Sequence, residues 1–136
     1  MGDTPDYVNG QPKPIPNNGK SIHDLVRRDL ARMHSNGAQL HNRSVQLVAT
    51  HIADRKQYGL EKYGTILQAH NGRDALTDIM EEALDLVVYI RQWLEEQSHN
   101  TETSARDRVD EHLMGLVYKQ ALQSLVMIKT VMNGRD

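Results

Sequence analysis

What the core of this chain cannot contain narrows its possible folds more than any other feature. Among 136 residues there is no Phe, a single Trp and five Tyr, so any interior must be assembled from Leu, Val, Ile, Ala and Met. Such a core favours helices over a sandwich of sheets, where aromatic and β-branched residues usually dominate. The apolar fraction of 38% supports one core with little margin, so a second independent domain is not expected. The absence of Cys removes disulfides and thiolate metal sites and is compatible with a reducing cytoplasm. A net charge of −2 with no polybasic tract argues against nucleic-acid polymers and anionic lipid as partners. No apolar run reaches membrane-spanning length, and no signal-like segment opens the chain, so the expectation is a soluble cytoplasmic protein without a membrane partner.

All four prolines, Pro5, Pro12, Pro14 and Pro16, fall within residues 1–20 among Asn and Gly. That composition buries too little surface to offset ordering and reads as an extended or disordered arm. Residues 21–136 then read as a single α-helical domain of four helices. Ser21, with Asp24 three residues on, resembles a capping box and opens a helix that should stop near Asn36-Gly37. A second helix is expected from about Arg43 to Gln57, with Gly59 marking its end. The stretch between Gly59 and Gly72 reads as a loop, because its glycines mark turns and the helical period lapses. Asn71 is a plausible N-cap for a third helix running to about Glu96, with Asp74 in its first turn. A fourth helix is expected over about Ala105 to Met132.

The third helix carries the most informative pattern. At roughly 100° per residue, Asp74, Asp78, Glu81, Glu82 and Asp85 share an arc of about 100°, with Leu76, Ile79, Met80, Ala83, Val87 and Ile90 opposite. A charged face on an amphipathic helix is ordinarily just solvated. Two details argue for more. No Lys or Arg interrupts the stripe between Asp74 and Tyr89, whereas a solvated face usually mixes signs to avoid like-charge repulsion. Directly after Asp85, the run Leu86-Val87-Val88-Tyr89-Ile90 surrounds the helix with apolar groups, which predicts burial on all sides and places Asp85 at the edge of an interior. A carboxylate there is costly unless paired or ligating, and clustered carboxylate oxygens suit a hard cation such as Mg²⁺.

The run from Glu81 to Tyr89 resembles the second acidic motif of the MazG-like all-α nucleoside triphosphate pyrophosphohydrolases, a Glu-x-x-Asp on a helix that then turns apolar, with Glu82 and Asp85 at the matching positions. The stretch from Ile52 to Glu96, with Arg55-Lys56, Gly59-Leu-Glu-Lys-Tyr-Gly64 and Asn71-Gly-Arg-Asp-Ala75, is similar to small bacteriophage proteins of MazG-like type, as is the arm from Asp6 to Pro16. The resemblance covers about half the chain. It implies a four-helix-bundle-like fold completed by assembly into a homodimer or homotetramer, Mg²⁺ as cofactor, and cleavage of a nucleotide between its α- and β-phosphates, in the host cytoplasm if the chain is phage-encoded. One part is missing: the family's earlier Glu-Glu-x-x-Glu has no counterpart between Val45 and Lys56, where Asp54 is the only acid. Asp54, Asp78, Glu81 or the pair Asp110-Glu111 are the acids left to complete a site.

In this reading Asp78, Glu82 and Asp85 are metal ligands, and Glu81 and Glu82 are the catalytic carboxylates, with Glu81 either holding the attacking water or facing solvent. Lys56, Lys62 and Arg73 are candidate phosphate partners, and each is equally readable as a solvated charge. Arg73 stands out because a cation in the first turn opposes the helix dipole. Tyr63 either stacks on a base or packs on the helices, and Asn71 either contacts substrate or only caps a helix. Seven histidines show no ligand spacing. The alternative to hydrolysis is a protein that binds and sequesters a nucleotide signal without turnover. A third option is a structural oligomer whose acidic face is merely solvated.

Overall fold

The computed structural model describes Tyr7, Val8 and residues 10–135; the part of the arm expectation that falls on residues 1–6 and Asn9 lies outside the described residues. Among the described residues the regular structure is four helices and one pair of two-residue strands, and the chain divides into two compact units, one ending at Arg73 and the other beginning at Asp74. Among the described residues, no helix is long and apolar enough to cross a membrane.

The first unit opens with β1 (Tyr7–Val8) and β2 (Gln11–Pro12), antiparallel, with Tyr7 opposite Pro12 and Val8 opposite Gln11. Two helices follow, α1 (Ile22–Ser35) and α2 (Asn42–Tyr63), which pack against each other. Ser21 caps α1 as its sequence position suggests, its hydroxyl accepting from the Asp24 amide at 3.3 Å. The start of α2 is capped by His41, whose Nδ1 accepts from the Ser44 amide at 3.2 Å, a role that residue type rarely advertises.

Helix α2 runs about one turn beyond the end expected at Gly59, to Tyr63. A helical glycine costs only about 1 kcal/mol, and the segment after it is supported locally. Gln57 donates to the Glu61 carboxylate one turn on, and Lys62 occupies the last turn, where a cation suits the helix dipole. The true stop is Gly64, whose φ of 74° makes the left-handed cap that a side chain would strain.

The arm from Gln11 to Lys20 runs extended along the 65–73 loop and is stitched to it by polar contacts. Gln68, buried, accepts from the Asn17 amide through Oε1 at 2.9 Å and donates through Nε2 to the Asn17 and Gly19 carbonyls at 2.6 and 2.7 Å. The Asn17 side chain donates back to the carbonyls of Ala69 and His70, and the Ile15 amide donates to the Asn71 carbonyl. A segment with little apolar surface is thus ordered by hydrogen bonds rather than by a core.

The second unit is the helix pair α3 (Ala75–Ser98) and α4 (Ala105–Asn133). The N-cap of α3 is Asp74, three residues later than Asn71: Oδ1 accepts from the Leu76 amide and Oδ2 from the Thr77 hydroxyl. Asn71 instead closes the preceding turn, its Oδ1 accepting from the Arg73 amide, so Arg73 precedes the helix and never enters its first turn. Helix α4 starts with a full capping box, Ser104 and Asp107 each accepting from the other's backbone amide. At 24 residues α3 is about 36 Å long, yet Val87 and Ile90 are the only apolar side chains in the buried class among the described residues. Both sit on the side opposite the carboxylates, where the helical period puts them.

Candidate functional site

The acids of α3 project from one face of an unbroken helix. Asp74, at its end, serves the cap, and its carboxyl is held below the usual range, chiefly by the Thr77 hydroxyl and then by backbone amides of the first turn. Asp78 and Glu81 are half-buried, while Glu82 and Asp85 are exposed. The spacing of Asp78, Glu82 and Asp85 makes consecutive pairs neighbours on the helix surface, about 5–6 Å apart at Cβ.

The apolar collar differs from the expectation. Val87 and Ile90 are buried, but Leu84 and Leu86 are exposed, and Val88 and Tyr89 retain 62% and 65% of their accessible surface. The pattern that suggests burial on all sides instead belongs to a helix that packs on α4 and leaves these four side chains exposed. Asp85 accordingly stands exposed to water, where its charge carries no burial cost that a ligand would have to offset. The same exposure reveals a residue the sequence pattern assigns to the collar: Tyr89 follows Asp85 by one turn and continues the acidic face.

Among the described residues, no group of three or more His, Asp or Glu side chains is placed to enclose a metal ion. Asp110 and Glu111 on α4 are half-buried, and Asp110 is 3.5 Å from the Arg106 guanidinium. The donor set on α3 nevertheless fits one kind of centre. Mg²⁺ commonly keeps several waters and is held by one or two carboxylates together with substrate phosphates, rather than by a closed protein cage.

The remaining candidates, Lys56, Lys62, Tyr63, Asn71 and Arg73, all belong to the first unit. Lys56 Nζ is 2.9 Å from Asp24 Oδ2, an ion pair joining α2 to α1. Lys62 lies 5.7 Å from the Tyr58 ring centre and 5.2 Å from that of Tyr63, and its pKa is raised, first by the Tyr63 hydroxyl. Asn71 is buried in its turn, and Arg73 Nη1 donates to the Pro12 carbonyl at 3.0 Å. Tyr63 forms part of a pocket with the proline arm.

The helical period along the chain gives no hint of a second juxtaposition, in which His23 of α1 and His51 and Arg55 of α2 line one groove with Val26, Val48 and Ile52. His23 Nδ1 is buried there without a hydrogen-bond partner, and burial followed by the Arg55 charge lowers its pKa below 6.5. Spacing along the chain cannot expose a pairing of side chains from two helices. No protein-family model, curated protein or solved structure matches this chain.

Proposed function

We propose that this protein is an Mg²⁺-dependent nucleotide pyrophosphohydrolase of the MazG-like type, converting a nucleoside triphosphate or a related nucleotide to its monophosphate and pyrophosphate. The observation that carries the reading is the face of α3, where Asp78, Glu82 and Asp85 line up without an intervening Lys or Arg. Glu82 and Asp85, with Asp78 beside them, would hold the cation, which when bound neutralises phosphate oxygens and the charge that develops on them. Glu81 is half-buried at the edge of the same face and suits the orienting or deprotonating of an attacking water. Tyr89 offers an exposed ring one turn beyond Asp85.

Assembly belongs to the same proposal. Leu84, Leu86 and Val88 on α3, and Val126 and Met127 on α4, are exposed apolar groups that a homodimer or homotetramer would bury, completing a MazG-type bundle. Covering the collar would also lower the dielectric beside Asp85 and supply carboxylates from a second copy.

Incubation of the full chain with Mg²⁺ and a panel of nucleotides is expected to release pyrophosphate, with the release abolished by EDTA and by Glu82→Ala or Asp85→Ala. No turnover of any nucleotide at high protein concentration overturns the hydrolase reading. A second reading, sequestration of a nucleotide without turnover, is favoured by the single acid between Val45 and Lys56 and by carboxylates that one helix alone supplies. Calorimetry showing tight binding without pyrophosphate release supports it, and failure to bind any nucleotide removes both.

A further inference from the structure

A pocket of about 580 Å³ lies where the proline arm meets the end of α2, walled on one side by residues 12–16 and on the other by Tyr63, Gly64 and Thr65. Its walls are fixed from outside. The Pro12 carbonyl accepts from Arg73 Nη1, the Ile15 amide donates to the Asn71 carbonyl, and Gln68 holds both the amide and the carbonyl of Asn17. Pro12, Pro14 and Pro16 add fixed φ angles, so the wall between these anchors loses little freedom when a ligand enters.

The lining chemistry is one-sided. Among the described residues Lys13 is the charged group in the wall and no acid lines it, while Tyr63 contributes an aromatic ring and Thr65 a hydroxyl. Lys62 is outside the lining, its Nζ lying 5.2 Å from the Tyr63 ring centre. A ring has two faces, and a cation over one leaves the other for a flat, electron-poor partner. A cavity of this size suits one small molecule, and its groups call for a planar ring joined to an anion.

We propose that this pocket binds the base and phosphate of a nucleotide, with Tyr63 as the stacking platform and Lys13 as the phosphate partner. The identity of the ligand rests on the nucleotide reading above, but the binding does not need Mg²⁺ or the α3 carboxylates. It assigns a role to Lys13 and to the arm, and it gives Tyr63 a function beyond packing.

The test is calorimetry on the full chain in EDTA, with AMP as probe and adenosine and inorganic phosphate as fragments, alongside mapping of backbone amide shifts. AMP is expected to bind without metal, more tightly than either fragment, and to shift the amides of Lys13, Ile15, Gly64 and Thr65. Tyr63→Leu, which keeps the apolar bulk, should weaken binding about tenfold, and Lys13→Ala about fivefold, while Glu82→Ala and Asp85→Ala leave it unchanged. Absence of AMP binding in EDTA, shifts confined elsewhere, or equal affinity in the Lys13 and Tyr63 variants overturns the proposal. Mg²⁺-dependent pyrophosphate release without any AMP binding in EDTA would leave the hydrolase reading intact and sink this one. Binding in EDTA with the expected sensitivities, but no turnover, would do the reverse.

Discussion

Gln68 decides whether the proline arm belongs to the folded first unit. Its side chain is buried and makes three hydrogen bonds, one from the Asn17 amide and two to the carbonyls of Asn17 and Gly19. In Gln68→Ala all three backbone groups lose their partner. A typical intramolecular hydrogen bond contributes about 1 kcal/mol net, and water can reach part of this exposed arm, so we expect a loss of about 2 kcal/mol, below the simple sum. The arm is held by few apolar contacts, so the loss should appear as local opening and not as unfolding of α1 and α2. By hydrogen exchange, the Asn17 amide should then exchange about thirtyfold faster, Ile15 should follow, and amides inside α2 should be unaffected. Gln68→Glu sharpens the test. A carboxylate at this position still accepts from the Asn17 amide but faces two carbonyl oxygens it cannot donate to, so protection should be lost at neutral pH and partly regained on acidification, when the carboxyl gains a proton. Unchanged exchange at Asn17 and Ile15 in Gln68→Ala would refute the account of how the arm is ordered.

Two glycines five residues apart should respond in opposite directions to the same substitution. Gly59→Ala adds a methyl to open space within α2 and should stabilise the first unit by about 0.5–1 kcal/mol, whereas Gly64→Ala forces a side chain into the left-handed cap and should cost about 1 kcal/mol. Urea melts giving both variants the same sign would contradict the observed end of α2. The His23 pKa is lowered from 6.5 by burial and by Arg55, so between the folded and unfolded pKa the unfolded chain binds more protons. Stability is therefore complete above pH 6.5 and falls as the pH drops through that window. His23→Gln should flatten the slope of urea midpoint against pH, and an unchanged slope would assign it to other groups.

The sequence by itself determined the helical class and most element ends. A core without Phe left aliphatic residues at helical period as the source of burial, and the cap at Ser21 is local chemistry that needs no neighbours. The same period placed Val87 and Ile90 opposite the acids of α3, and they are the residues buried there. Where competing local signals met, the sequence was ambiguous. Gly59 reads as a stop until the Gln57–Glu61 contact, the cation–π contacts of Lys62 and the left-handed Gly64 cap are weighed together. Asn71 and Asp74 are both good caps, and which one takes the helix depends on the turn that Asn71 closes with Arg73. Tertiary structure alone decided the rest. The order of the arm depends on Gln68, some fifty residues away in sequence, and the groove shared by His23, His51 and Arg55 depends on how two helices pack. Whether the apolar turns after Asp85 are covered depends on how many neighbours α3 has. Periodicity fixes the direction in which a side chain points, but burial requires something on that side to meet it.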